Sequence, residues 1–116
     1  MSGADFTGFY RPTAFTLPTT AQTTIFTATG AYANVRMINL ANITGAAVTV
    51  TLEWTDSSEG VTVSLLEGYT MPPNSQIMEE PPGMTIDNGD AIKVTAGTAN
   101  AIEGIIVAAE IAGRNA

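Results

Sequence analysis

The side chains in this sequence that could do chemistry are carboxylates and hydroxyls. There are 11 Asp and Glu residues, no histidine and no cysteine. Glu53, Glu79, Glu80 and Glu103 could supply the acid/base pair that glycoside hydrolysis requires. Nothing in their spacing specifies a cleft, and carboxylates at the exterior positions of strands usually serve solvation. A second candidate is a calcium site, at Asp87, Asn88 and Asp90 or at Asp56 and Glu59. Calcium takes about six to eight oxygens, and neither group has the acidic spacing of an EF-hand loop. The same residue types form turns through their own side chains. Without histidine or cysteine there is no Ser-His-Asp triad, no imidazole or thiolate metal site and no thiol nucleophile. No Gly-rich phosphate loop occurs either. The expectation is therefore a protein that is not an enzyme, with no catalytic residue, no cofactor and no metal.

Composition points the same way. The chain has 116 residues, of which 45% are hydrophobic and only 13% charged. An ordinary soluble domain is about 25% charged. Such a chain must cover its exterior with threonine, alanine and glycine, or bury part of that exterior against partners. Threonine is expected at the outward strand positions. The net charge is −7, with Arg11, Arg36, Lys93 and Arg114 as the only cations. Four scattered cations give no footprint for a phosphate backbone or an anionic bilayer, so neither nucleic acid nor membrane is an expected partner. Residues 1–10 lack a basic segment followed by an apolar one, so no signal peptide is expected. No apolar run is long enough for a spanning helix.

The elements that must position these side chains are strands. In 46–66, Val48, Val50, Leu52 and Trp54 alternate with Thr49, Thr51, Glu53 and Thr55. Successive strand side chains point to opposite faces, so one face is apolar and the other hydroxylated. Asp56-Ser57-Ser58-Glu59-Gly60 is a turn, and the alternation resumes at Val61, Val63 and Leu65. This is the central antiparallel hairpin, whose apolar face needs a second sheet to cover it. Trp54, in the inward register, reads as core rather than as a sugar-stacking platform. Strands are also expected at 24–29, 34–43, 76–79, 84–86, 91–96 and 102–111. Turns fall at Glu67-Gly68, at 71–75 and at the Asn-Gly signal of 87–90. In 34–43, Met37, Asn39 and Ala41 share one face, and Arg36, Ile38, Leu40 and Asn42 share the other. Arg36 reads as a snorkelling surface cation. The closing segment 102–111 is apolar on both faces, so it lies mid-sheet or in an intersubunit contact. About eight short strands separated by turn signals make an all-β antiparallel sandwich, jelly-roll-like, over 24–116.

Residues 1–23 differ from the rest. Phe6, Phe9, Tyr10 and Phe15 are interspersed with Gly3, Gly8, Pro12 and Pro18 and follow no period. Glycine and proline at that density resist helix and ladder alike, while aromatics anchor an extended segment well. The expectation is an extended N-terminal arm that folds over its own sandwich or reaches a neighbouring subunit.

Three pieces of the sequence together resemble a family of small bacteriophage and prophage virion proteins. They are NLANITGAAVTVTLEWTD (39–56), GYTMPPNSQIME (68–79) and DNGDAIKVTAGTANAIEGIIVAAEI (87–111). The resemblance covers 24–111 and leaves the arm outside. The chain departs from it at Glu79-Glu80-Pro81-Pro82-Gly83, where the family more often has a plain apolar strand. It implies a β-sandwich that assembles on virions in a bacterial host, as a capsid decoration or cement protein. Its partner would be a major capsid protein or another virion protein. A symmetric homo-oligomer, a trimer, is part of the same implication. The contacts are expected at Phe6, Phe9, Tyr10 and Phe15, then at Ile105, Val107 and Ile111. A tail, neck or fibre component is the alternative, followed by a carbohydrate-binding module.

Overall fold

In the computed structural model, which describes residues 10–80 and 84–111, every regular element is a strand. They are β1 (Arg11–Thr16), β2 (Thr23–Thr27), β3 (Tyr32–Asn42), β4 (Val48–Asp56), β5 (Val61–Met71), β6 (Gln76–Glu79), β7 (Met84–Asp87), β8 (Ala91–Ala96) and β9 (Ile102–Ile111). Two antiparallel sheets result. One runs β1-β9-β3-β6, with β7 also on β3; the other runs β2-β8-β4-β5. The pairings are nested. β4 pairs β5, β3 pairs β6 and β7, β2 pairs β8 and β1 pairs β9. The chain is thus one long hairpin bent about the turn after Asp56 and folded over itself into a sandwich.

Alternation decides which side chains meet between the sheets. Val48, Val50 and Leu52 of β4 stand in register with Met71, Ala96 and Val94, and all six are buried. From the other sheet Val35, Ile38, Leu40, Ile102 and Ile106 fill the same interior. Each such side chain contributes roughly 1.5–3 kcal/mol when fully buried. Trp54 is half-buried at the margin of this cluster. The closing strand β9 lies between β1 and β3, as its two apolar faces require.

Three expectations need correction. First, nine strands stand among the described residues where about eight are expected, the added one being Arg11–Thr16, which pairs residue by residue with 103–108. The segment 1–23 is therefore not an arm standing apart along its whole length: β1 is a sheet strand and Leu17 is a core residue. Pro12 is tolerated because β1 is an edge strand, where a missing N–H leaves no ladder bond broken. Second, Glu67-Gly68 is no turn. β5 continues to Met71 through two register shifts, with Gly68 at a φ of +55°. A glycine in that left-handed region is a recurrent bulge residue. Third, Val61, Val63 and Leu65 do not enter the core: they are 49%, 43% and 43% exposed. They lie on the edge of their sheet, where the short β6 and β7 of the facing sheet cannot cover an 11-residue strand.

Gly104 is required by close approach. A Cβ at Gly104 would run into the backbone oxygen of Asn39 and the ring of Phe15. Backbone atoms cannot swing aside, so Gly104→Ala is expected to lower stability by about 1–3 kcal/mol. Gly45→Ala, where a Cβ meets nothing, should leave it within about 0.5 kcal/mol. Denaturant unfolding of the two variants checks both.

Candidate functional site

Two of the acidic residues singled out as possible metal ligands, Asp90 and Asp56, are engaged in other bonds. Asp90 is 1% exposed. Its Oδ1 accepts from the Ser57 N–H at 2.9 Å and from Ser57 Oγ at 3.2 Å. Its Oδ2 accepts from the Asp87 N–H at 2.9 Å and from Trp54 Nε1 at 3.2 Å. One carboxylate thus ties the β4–β5 turn to the β7–β8 turn and satisfies the indole. Asp56 Oδ1 closes its own turn by accepting from the N–H groups of Ser58 and Glu59 and from Ser58 Oγ. Among the described residues no three metal-ligating side chains come together. The four glutamates considered as an acid/base pair do not share a cleft. Glu53 lies on the outer face of the second sheet, where it accepts from Gln22 Nε2. Glu103 lies on the outer face of the first sheet, and Glu79 and Glu80 are exposed around the end of β6.

At the opposite end of the sandwich Asn42, 2% exposed, plays the corresponding part. Its Nδ2 donates to the carbonyls of Ala46, Met71 and Pro72, and its Oδ1 accepts from the N–H and Oγ1 of Thr44. The side-chain amide of Asn42 is therefore consumed inside the fold.

The remaining candidate is a surface, and it follows from register. Residues opposite one another in antiparallel strands share a face. On the outer face of the first sheet Pro12, Val107 and Met37 form one row. Ala14, Ile105, Asn39 and Met78 form the next, and Thr16, Glu103, Ala41 and Gln76 a third. The first two rows carry no charge. Ile105 is 38% and Met78 50% exposed, and an open depression of about 470 Å3 lies between Ala14, Thr16, Asn39, Ala41, Glu103 and Ile105. The outer face of the second sheet is the reverse. It presents Thr24, Thr49, Thr51, Thr55, Thr62, Thr70 and Thr95, with Lys93 opposite Glu53. The outer face of the first sheet is thus apolar along its first two rows, with Glu103 in the third and Asn34, Thr85, Tyr32 and Asp87 toward β7, and the outer face of the second is hydroxylated.

The residues expected to make contacts are spread around the first of these. Ile105 and Val107 are on it. Ile111, half-buried, continues the same strand opposite Tyr32. Phe15 packs on the core margin and against Gly104. Tyr10 lies with the Arg36 guanidinium 5.2 Å from its ring centre, a cation–π contact that fixes where the chain enters β1. Arg36 is exposed, as read from the sequence, and occupies the register shift of β3 between Val35 and Met37. Phe6 and Phe9 lie outside the described residues. Pro12, Ala14, Met37 and Met78 were missed. The pairing of Met37, Asn39 and Ala41 on one face of β3 was visible in the sequence, but the register that sets β9, β1 and β6 beside them is not local.

No family model and no curated protein matches this chain. Among solved structures it is similar to two crystal structures of a pentameric capsid protein isolated from metagenomic phage sequences. Both are 19% identical with a TM-score of 0.43, over 85% of this chain and 62% and 60% of theirs. The chain spans about three fifths of their length. Among the described residues no helix is long and apolar enough to cross a membrane.

The Asp90 clamp has a pH signature. Burial by itself would raise the carboxyl. The backbone N–H groups of Ser57 and Asp87, then the Trp54 and Ser57 side chains, outweigh it and hold the group below its ordinary 3.8. A lowered folded value means that the stabilisation is full above 3.8 and is lost as pH falls through the folded value. Asp90→Asn turns an amide toward two of the four donors and should cost about 2–3 kcal/mol at neutral pH. Urea unfolding across the acid range should show a smaller loss of stability in Asp90→Asn than in the parent.

Proposed function

We propose that this protein is a structural component of a bacteriophage virion, most specifically a capsid decoration or cement protein. It binds the outer shell, ties neighbouring capsomers and works as a homo-oligomer, a trimer, without catalysing a reaction. The observation that carries the reading is the contrast between the two outer faces. A hydroxylated sheet suits solvent. A sheet face with two adjoining uncharged rows bearing Ile105, Val107, Met37 and Met78 suits a repeated protein surface. The sequence resemblance of 39–56, 68–79 and 87–111 to phage virion proteins supports the same reading. We read the nested pairing of β1 with β9, β2 with β8 and β4 with β5 as the wrapping of a jelly roll, an architecture used in viral capsids. Fold alone does not carry function, so the weight rests on the face.

The arm completes the proposal. Tyr10, held under Arg36, enters β1 beside Pro12 and Val107 at the rim of the apolar face. Phe6 and Phe9, a few residues earlier, are proposed as the anchors that reach a neighbouring subunit, with Phe15 and Ile111 at the borders of the contact. An anchor of that kind adds large apolar area at small rotamer cost.

Electron cryomicroscopy of the virions that carry the protein tests the assignment. A copy at every local lattice position of the shell is expected. A few copies at one vertex would reassign it to the neck or tail, and absence from the particle would end the reading. At residue level, Ile105→Glu places an unpaired carboxylate in the contact and should weaken shell binding by at least about tenfold. Thr24→Glu on the hydroxylated face should leave binding unchanged, and both variants can be checked for folding by circular dichroism.

A further inference from the structure

β5 ends its sheet, and among the described residues no strand lies along its outer side. Such an edge displays free N–H and C=O groups, and folded proteins usually blunt it with lysine, proline, a bulge or a covering segment. In β5 the bulges are confined to the middle. Between Leu66 and Tyr69 the strand has one residue more than β4, and Leu65 is a second extra residue. On the turn side of these bulges, 61–64 lies one-to-one opposite Asp56, Thr55, Trp54 and Glu53. This short run is regular, holds neither lysine nor proline, and exposes Val61 and Val63.

We propose that the 61–64 edge of β5 pairs antiparallel with the same edge of a second copy across a two-fold axis, joining two four-stranded sheets into one of eight. The occupant follows from charge. At a net charge of −7, two copies repel over most of their surfaces. From Gly60 to Leu66 there is no ionisable side chain, so here two copies meet without opposing like charges. A cationic partner would find no acid on this run to bind. The contact is also isologous and so closes on itself.

The pleat places the axis. Because opposed residues share a face, the two-fold passes through a residue and not between two. An axis at Val63 would set Glu59 beside Glu67 of the second copy. An axis at Thr62 avoids this and sets Val61 opposite Val63 of the second copy, twice. The two Thr62 side chains then face each other on the hydroxylated side, with Cβ atoms about 4.5–5.5 Å apart. The proposal does not depend on the virion role: it uses the edge remote from β1 and the arm.

The sequence has no cysteine, so Thr62→Cys supplies the full chain with a single thiol. Under mild oxidation it is expected to give a disulfide-linked dimer at least about tenfold faster than Thr70→Cys, an exposed position on the same strand away from the axis. Adding Val63→Lys to Thr62→Cys should abolish that advantage, with circular dichroism showing both proteins folded. Equal rates for Thr62→Cys and Thr70→Cys, or fast cross-linking that survives Val63→Lys, would overturn the proposal. Shell binding by Val63→Lys reads the virion assignment separately, because Val63 lies outside the apolar face.

Discussion

The fold depends on closing a nested set of strand pairs at both ends with one buried polar side chain each. A sandwich made from one folded-over hairpin leaves its turns stacked at two poles, and there backbone groups must find partners away from the ladders. At one pole Asn42 joins the β3–β4 turn to the chain between β5 and β6. At the other Asp90 joins the β4–β5 and β7–β8 turns. Both are fully hydrogen-bonded, which is the condition under which burying a polar group is tolerated. Around Asp90 the neighbouring turn is held as well: Glu110 accepts from the N–H groups of Thr29 and Gly30, and Asn88 donates to the carbonyls of the same pair. The poles are consequently held by side-chain hydrogen bonds as well as by the ladders.

The same bonds bear on the side chains at the poles whose types could do chemistry. The cluster of acids and amides at the turns resembles a ligand set in the sequence because turn formation and cation binding use the same oxygens. Asp90 shows which demand prevails. Its four acceptor bonds go to the chain itself, and the tryptophan that could have been a sugar platform spends its N–H on the same carboxylate.

What could be read in advance follows the range of the interaction concerned. The central hairpin was legible because alternation in 48–54 and a turn cluster are local signals. The interior position of β9 was legible because only a doubly covered strand is apolar on both sides. β1 was not, since Pro12 and the surrounding glycines mask an edge strand that needs few ladder bonds. β5 was cut short in the reading because a bulge glycine and a turn glycine look alike in sequence. The apolar outer face was half legible. Ile105, Val107 and the Met37-Asn39-Ala41 stripe could be named singly, but their union with Ala14 and Met78 is a property of long-range register.

Nesting also orders events in time. β4 and β5 are neighbours in sequence, whereas β1 and β9 are separated by nearly the whole described chain. Loop-closure entropy favours zipping from the innermost pair outward, and distant pairing makes folding slow. During synthesis β1, with Phe15 and the core residue Leu17 behind it, emerges first of the nine and waits for a partner that is made last. Arg11 and Pro12 work against pairing elsewhere while that segment waits, so the proline that hides β1 from a sequence reader also guards the nascent chain against aggregation.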